Sequence, residues 1–183
     1  MDNAKIKKKV ETGLSKIDIK KGTYALISKS ENYKQASLYT IQFLTEKIGT
    51  GIYVTLNKPH CEIVKKLERE KVDTKDILFI DVVENEDKCV ADNCIFVANR
   101  SLTALSLAMT QACKQKAMKY LFFDSVTTLL IYEKFESVEK FIHFFLNKVK
   151  NVEILTIIIA VEEEKTNKII PLLDQLCDET IRI

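Results

Sequence analysis

The sequence predicts an α/β domain in which helices cover both faces of a mostly parallel β-sheet. Apolar runs of strand length alternate with helical patterns along the chain. Two of these runs, Ile77–Asp81 and Tyr120–Asp124, are apolar up to their last residue, which is typical of strands buried on both faces. The 183 residues are enough for one hydrophobic core. A three-layer α/β/α domain is therefore expected.

In the first half of the chain, short apolar runs predict the strands and periodic apolar residues predict the helices. Leu38, Ile41 and Leu44 recur at helical spacing, and the glycines at 49 and 51 separate this helix from the next strand. A proline favours the start of the second helix. The predicted strands are 24–28, 52–56 and 77–81, and the predicted helices are 36–48 and a helix that begins at Pro59.

The second half continues the same alternation. Ser101 and Ser137 are predicted to cap two helices, and Pro171 suits the first turn of a third. The polar stretch 84–94 is predicted to be a surface loop. The predicted strands are 95–98, 120–124, 154–161 and 180–183, and the predicted helices are 102–116, 138–149 and 168–176.

Charge is nearly balanced, at a net +2, which does not favour a nucleic-acid or membrane partner. The surplus is local, because residues 1–21 contain seven lysines. We expect residues 1–21 to form a solvated basic lead before a domain at 22–183. The longest apolar runs, such as Ile154–Val161, are too short to span a bilayer, and a charged segment follows Met1 instead of a signal peptide. A cytoplasmic protein is expected.

The five cysteines are odd in number and have no framework spacing, which indicates reduced thiols. A zinc site formed by His60, Cys61, Cys89 and Cys94 is the alternative, but neither pair has the usual ligand spacing. His143 lies in an apolar helical run, so a structural role is expected for it.

Ligands of parallel sheets bind beyond the carboxyl ends of the strands. That edge is predicted to collect polar residues from several loops: 28–34, Asn57, Lys58, Asp81, Asp124, Ser125 and 162–164.

Four stretches of the chain resemble the RecA-like P-loop ATPases, and among them the KaiC-like proteins of prokaryotes. They are KGTYALISKSENYKQAS, TGIYVTL, KYLFFDSVTTLL and IIPLLDQLCDETIRI, and they occur in the order of that family. The resemblance implies a RecA-like P-loop NTPase fold for residues 22–183. It also implies ATP and magnesium as candidate ligands, and self-association or docking onto a related protein.

The stretch that matches the phosphate-binding loop departs from the family pattern. Lys34 matches the loop lysine, whereas Ser28 and Tyr33 stand where the family has glycine and Gln35 where it has Ser or Thr. Glycine permits positive φ and close approach of the backbone to phosphate, which tyrosine resists. Gln35 also lacks the hydroxyl that holds magnesium. The resemblance therefore implies a degenerate Walker A loop.

Other positions of the family site are partly retained. Asp124, followed by Ser125, matches the Walker B aspartate, which makes Asp124 the candidate metal ligand. Asn57 and Lys58 stand where KaiC-like ATPases have a pair of glutamates, so no catalytic residue is predicted. The candidate vestigial nucleotide site consists of Lys29, Ser30, Lys34, Gln35, Asp124 and Ser125. In the alternative interpretation, Asp124 or Ser125 caps the following turn and Lys34 is a solvated lysine.

These features lead to a main hypothesis and two alternatives. The main hypothesis is a non-catalytic KaiC-like module that regulates or scaffolds through a protein partner or self-association, without a cofactor. The first alternative is an ATP-binding protein or weak ATPase that uses Lys34 and Asp124. The second is a nucleic-acid-binding accessory protein that uses the lysine-rich lead.

Overall fold

The computed structural model describes residues 2–82, 91–98, 101–163 and 168–183. Its strands are β1 (Gly22–Lys29), β2 (Gly51–Thr55), β3 (Ile77–Asp81), β4 (Cys94–Phe96), β5 (Tyr120–Asp124), β6 (Leu155–Glu162) and β7 (Glu179–Arg182). Its helices are α1 (Asn3–Leu14), α2 (Tyr33–Lys47), α3 (His60–Arg69), α4 (Leu102–Cys113), α5 (Val126–Tyr132), α6 (Phe135–Val149) and α7 (Ile169–Leu176). The described strands form one sheet in the order β4-β3-β2-β5-β6-β1-β7, and all of their pairings are parallel.

Side chains of the five central strands, β1, β2, β3, β5 and β6, alternate between two hydrophobic clusters on opposite faces of the sheet. In β1, Tyr24 and Leu26 join the cluster formed with α1, α2 and α3, while Ala25 and Ile27 join the cluster formed with α4, α5, α6 and α7. This alternation explains the solid apolar runs, because both faces of the sheet are covered. The predicted three-layer α/β/α architecture with a parallel sheet is confirmed.

Helix α1 occupies the part of the chain that was expected to be a solvated lead. Ile6, Val10 and Leu14 recur every four residues and are buried against the domain. Asp2 caps the helix, since its carboxylate accepts a hydrogen bond from the N–H of Ala4. The expectation of a solvated segment is therefore wrong for residues 3–14, whose lysines cover only the outer face.

The remaining differences concern the ends of elements and one short helix. Helix α6 begins at Phe135, so Ser137 lies in its first turn and does not cap it. Helix α5 was not predicted, because seven residues directly after a strand give too little periodicity to detect. Strands β3 and β5 have the predicted bounds, and the hydroxyl of Ser101 accepts from the N–H of Ala104 as a cap. Most of the predicted loop at 84–94 lies outside the described residues.

Parallel pairing brings the carboxyl ends of the central strands into register. Thr55 at the end of β2 is paired with Asp81 of β3 on one side and with Asp124 of β5 on the other. The polar residues that follow these strands therefore meet at one edge of the sheet. Across the described ranges, none of the helices combines the length and the apolar character that crossing a membrane requires.

Candidate functional site

The connection between β1 and α2 is a tight turn of three residues, Ser30 to Asn32. The N–H of Asn32 donates to the carbonyl of Lys29 at 3.0 Å, and the N–H of Tyr33 donates to the carbonyl of Ser30 at 3.4 Å. No residue from 28 to 35, all of which are described, has a positive φ. Two backbone donors at the mouth of α2 are thus used within the turn.

The carboxylate of Asp124 lies at the end of β5, is 5% exposed, and accepts hydrogen bonds from three hydroxyl groups. The Tyr33 hydroxyl donates to Oδ1. The Ser37 hydroxyl donates to Oδ2 at 2.6 Å, and the Tyr53 hydroxyl donates to the same oxygen at 2.5 Å. Hydrogen bonds to a charged acceptor are stronger than neutral ones, so these contacts compensate the carboxylate for its burial.

Local structure explains why these three hydroxyls converge. Tyr33 and Ser37 are four residues apart in α2, so they lie on the same face of the helix. Tyr53 lies on the same face of the sheet as Asp124, where its ring stacks on Phe79 at 5.6 Å between centroids. The first turn of α2 therefore closes directly over the end of β5.

Both tyrosines have perturbed pKa values. Burial, followed by the neighbouring charge of Asp124, raises the pKa of Tyr33 well above its ordinary value. The same two causes, in the same order, raise the pKa of Tyr53. The two hydroxyls therefore stay protonated, and act as donors, throughout the neutral range.

A second set of hydrogen bonds fixes Tyr33 from the outer side. The side-chain amide of Asn57 donates to the Tyr33 hydroxyl at 2.7 Å, and the hydroxyl of Thr128 donates to the Asn57 side-chain oxygen at 2.6 Å. Thr128 in turn lies 3.0 Å from the hydroxyl of Ser125. Asn57 in the loop after β2 and Thr128 in α5 thus hold the Tyr33 side chain over Asp124.

A small cavity opens beside this network, between α2 and α3. Its volume is about 70 Å³. Ligand pockets for drug-sized molecules have roughly 300–1,000 Å³. The volume of this cavity is well below that range. Its lining includes Lys34, Lys58 and Lys66 as well as Tyr33 and Asp124.

The predicted site residues are only partly brought together. Asp124 and Lys34 line the same cavity. Lys29 and Ser30 are exposed at the end of β1, and Gln35 is half-buried in α2. Ser125 is buried at the start of α5, where its hydroxyl lies 3.1 Å from that of Thr127 and 3.0 Å from that of Thr128, and it makes no side-chain cap.

The alternative zinc set is only partly described. His60 is buried and packs edge-on against Phe79 with ring centroids 4.7 Å apart, and burial lowers its pKa. Cys61 and Cys94 are half-buried, and Cys89 lies outside the described residues. Within the described ranges, no three histidine, cysteine or acidic side chains are grouped closely enough to hold a metal ion.

The acidic run at 162–164 was expected at the carboxyl edge of the sheet. Glu162 is exposed and forms an ion pair with Arg182, with 3.3 Å between the Glu162 Oε1 and Arg182 Nη1 atoms. Glu164 lies outside the described residues. Glu162, at the end of β6, thus contacts a residue of the edge strand β7, on the side of β6 away from β5 and Asp124.

Sequence reasoning missed Ser37, Tyr53 and Lys66. The position of Ser37, one helical turn after Tyr33, was a usable signal, because residues four apart share a helix face. A tyrosine in an otherwise apolar strand, as at position 53, also calls for a partner for its hydroxyl. Which partner it finds depends on the strand order, which local patterns do not determine.

Comparisons with known proteins agree with this fold. The KaiC-like protein PH0186 of the archaeon Pyrococcus horikoshii has a TM-score of 0.59 at 15% identity, over 77% of this chain and 61% of its own. An uncharacterized protein of the same organism, PH0321, solved with an unknown peptide, has a TM-score of 0.72 at 12% identity, over 96% of this chain and 82% of its own. This chain thus spans about three fifths of the KaiC-like protein.

These likenesses confirm the predicted KaiC-like, RecA-like fold. No curated protein matches the sequence. The profile of one family matches residues 26–183, which is most of the chain. The chain therefore belongs to this family of unknown function (DUF7504).

Proposed function

We propose that this chain is a non-catalytic module with the KaiC-like fold, which regulates or scaffolds through protein contacts and does not hydrolyse ATP. The observation that carries the proposal is the Tyr33 hydroxyl on Asp124. In the family that the sequence resembles, that aspartate serves magnesium. Here the hydroxyls of Tyr33, Ser37 and Tyr53 donate hydrogen bonds to both of its oxygens.

The turn before α2 supports the same proposal. A phosphate-binding loop cradles oxygens with free backbone N–H groups and needs glycine at strained positions. The N–H groups of Asn32 and Tyr33 bond within the turn, and residues 28–35 have no positive φ. These backbone features support the proposal that the loop with Ser28, Tyr33 and Gln35 does not cradle a phosphate.

A role in protein contacts is supported less directly. The structural neighbour PH0321 is described in complex with an unknown peptide, so at least one protein of this fold binds a peptide. This chain also exposes large apolar side chains outside the site, including Leu107, Ile131 and Phe144. We therefore propose a protein partner or self-association in place of a nucleotide substrate.

Thermal melting with and without millimolar Mg-ATP tests the proposal. A ligand at one hundred times its Kd stabilises a protein by about 2.7 kcal/mol, which for a chain of this size is a shift of roughly 5–11 °C. We expect no such shift and no phosphate release above a no-protein control. A shift that Lys34→Ala abolishes would overturn the proposal.

The first alternative, an ATP-binding protein or weak ATPase, is favoured by the position of Lys34 and Asp124 at one cavity. Nucleotide binding would then require Tyr33 to leave Asp124, because its ring and hydroxyl occupy that space. The melting experiment distinguishes this alternative directly. The second alternative, nucleic-acid binding, is favoured by the lysines of α1. Such binding would weaken steeply with added salt.

A further inference from the structure

The cavity between α2 and α3 has apolar walls. Leu38 and Ile41 form the wall on α2, and Ile63 and Leu67 form the wall on α3. A volume of about 70 Å³ holds several water molecules or one small aliphatic side chain. Water gains few hydrogen bonds between such walls, so an aliphatic group is the better occupant.

Three lysines surround this cavity. Lys34 and Lys58 are exposed, and Lys66 is half-buried on α3 with its Nζ atom 3.3 Å from the Lys34 carbonyl oxygen. Of the acidic groups nearby, Asp124 and Glu62 are already engaged, and Glu70 adds a negative charge that acts on Lys66. Asp124 accepts from three hydroxyls, and Glu62 pairs with Lys58 at 3.5 Å.

The three cationic side chains also disfavour one another. Burial lowers the pKa of Lys66, the charges of Asp124 and Glu70 oppose that effect, and the charges of Lys58 and Lys34 add to it. An external anion at the rim would relieve this repulsion. Because Lys66 is half-buried, its contact with such an anion is screened less than a fully exposed pair.

We propose that the lysine-rimmed cavity binds an acidic segment of a partner protein, which inserts one small aliphatic side chain between α2 and α3 and places carboxylates against Lys34, Lys58 and Lys66. This inference rests on the proposed function and specifies the partner's chemistry. Apolar walls provide the depth for the aliphatic group, and the cationic rim selects its acidic neighbours.

The test is an NMR titration of ¹⁵N-labelled protein with a synthetic peptide in which glutamates flank one valine on both sides. We expect saturable shifts confined to the first turns of α2 and to α3. Replacement of the valine by serine, or of the glutamates by lysines, should each weaken binding. Absence of shifts at millimolar peptide, or equal shifts with all three peptides, would overturn the inference.

Matched charge reversals on α3 locate the contact. Lys66→Glu should weaken binding of the acidic peptide by about fivefold or more, because it replaces an attraction by a repulsion. Lys65→Glu, the neighbouring exposed lysine, is the control and should leave the affinity within about twofold. Lys58→Glu repeats the test at an exposed rim position, where misfolding is not expected. Equal effects at positions 65 and 66 would contradict the site.

A parallel titration with Mg-ATP separates failure of this inference from failure of the proposed function. If the peptide gives no shifts and Mg-ATP gives none, the cavity site is wrong and the non-catalytic assignment stands. If Mg-ATP shifts residues 29–37 and Asp124, nucleotide binding replaces both proposals.

Discussion

Replacement of Tyr33 by phenylalanine isolates the contact on which the proposed function depends. The ring remains, while the hydroxyl that donates to Asp124 and accepts from Asn57 is lost. Asn57 is exposed, so water can replace its lost acceptor. Asp124 is 5% exposed and keeps the hydroxyls of Ser37 and Tyr53 as donors.

The expected loss of stability follows from the charge of the Asp124 carboxylate, which is the acceptor of this hydrogen bond. A hydrogen bond to a charged group contributes about 1.5–3 kcal/mol to stability, and the exposed Asn57 amide adds little. For a chain of 150–250 residues, 1 kcal/mol corresponds to about 2–4 °C in Tm. We therefore expect Tyr33→Phe to lower the Tm by roughly 3–12 °C.

Urea denaturation and thermal melting, both followed by circular dichroism, measure this change. Tyr39→Phe on the same helix is the matched control, since the Tyr39 ring keeps its contact with Lys7, whose Nζ atom lies 5.9 Å from the ring centroid. We expect the control to stay within about 0.5 kcal/mol of the unmodified chain. If the two substitutions have the same effect, Asp124 does not depend on Tyr33 and the reasoning is refuted.

Three further predictions use the same measurements. Asp124→Ala leaves three donors without their acceptor and should cost about 3–5 kcal/mol of unfolding free energy, whereas Asp124→Asn, which keeps one acceptor oxygen, should cost less. Because Tyr33 and Tyr53 have raised pKa values in the fold, their contribution to stability is intact below pH about 10 and is lost as the pH rises further; Tyr33→Phe should reduce that loss by about 1.4 kcal/mol per pH unit. Leu14→Ala, at a fully buried position of α1, should cost about 2–5 kcal/mol, while Lys9→Ala on the outer face should change stability by less than about 0.5 kcal/mol.

The fold could be predicted because its signals are local. Ile77–Asp81 and Tyr120–Asp124 are strands of the predicted length, since a strand covered on both faces has no polar positions to obscure it. Helix α1 was missed although Ile6, Val10 and Leu14 have perfect helical spacing. Lys7, Lys8 and Lys9, which lie between Ile6 and Val10, give this segment the composition of a solvated one and obscure its periodicity.

The site was less predictable, because it depends on contacts between distant parts of the chain. Asp124 and Lys34 were identified by their resemblance to family positions, and both line one cavity. The partners of Asp124 come from α2 and β2, 71 to 91 residues earlier in the sequence. Only the strand order, which places β2 beside β5, explains why Tyr53 reaches it.

A buried aspartate at the end of a strand is, by itself, a poor indicator of a metal site. A carboxylate removed from water needs hydrogen-bond donors or a cation to compensate for its burial. An aspartate at the end of a strand is compatible with both kinds of compensation. In this chain the compensation comes from three hydroxyls, two of them on tyrosines whose raised pKa values keep them protonated. Asp124 can therefore be required for stability alone, and the residues around it, Tyr33 above all, are what argue against a bound magnesium ion.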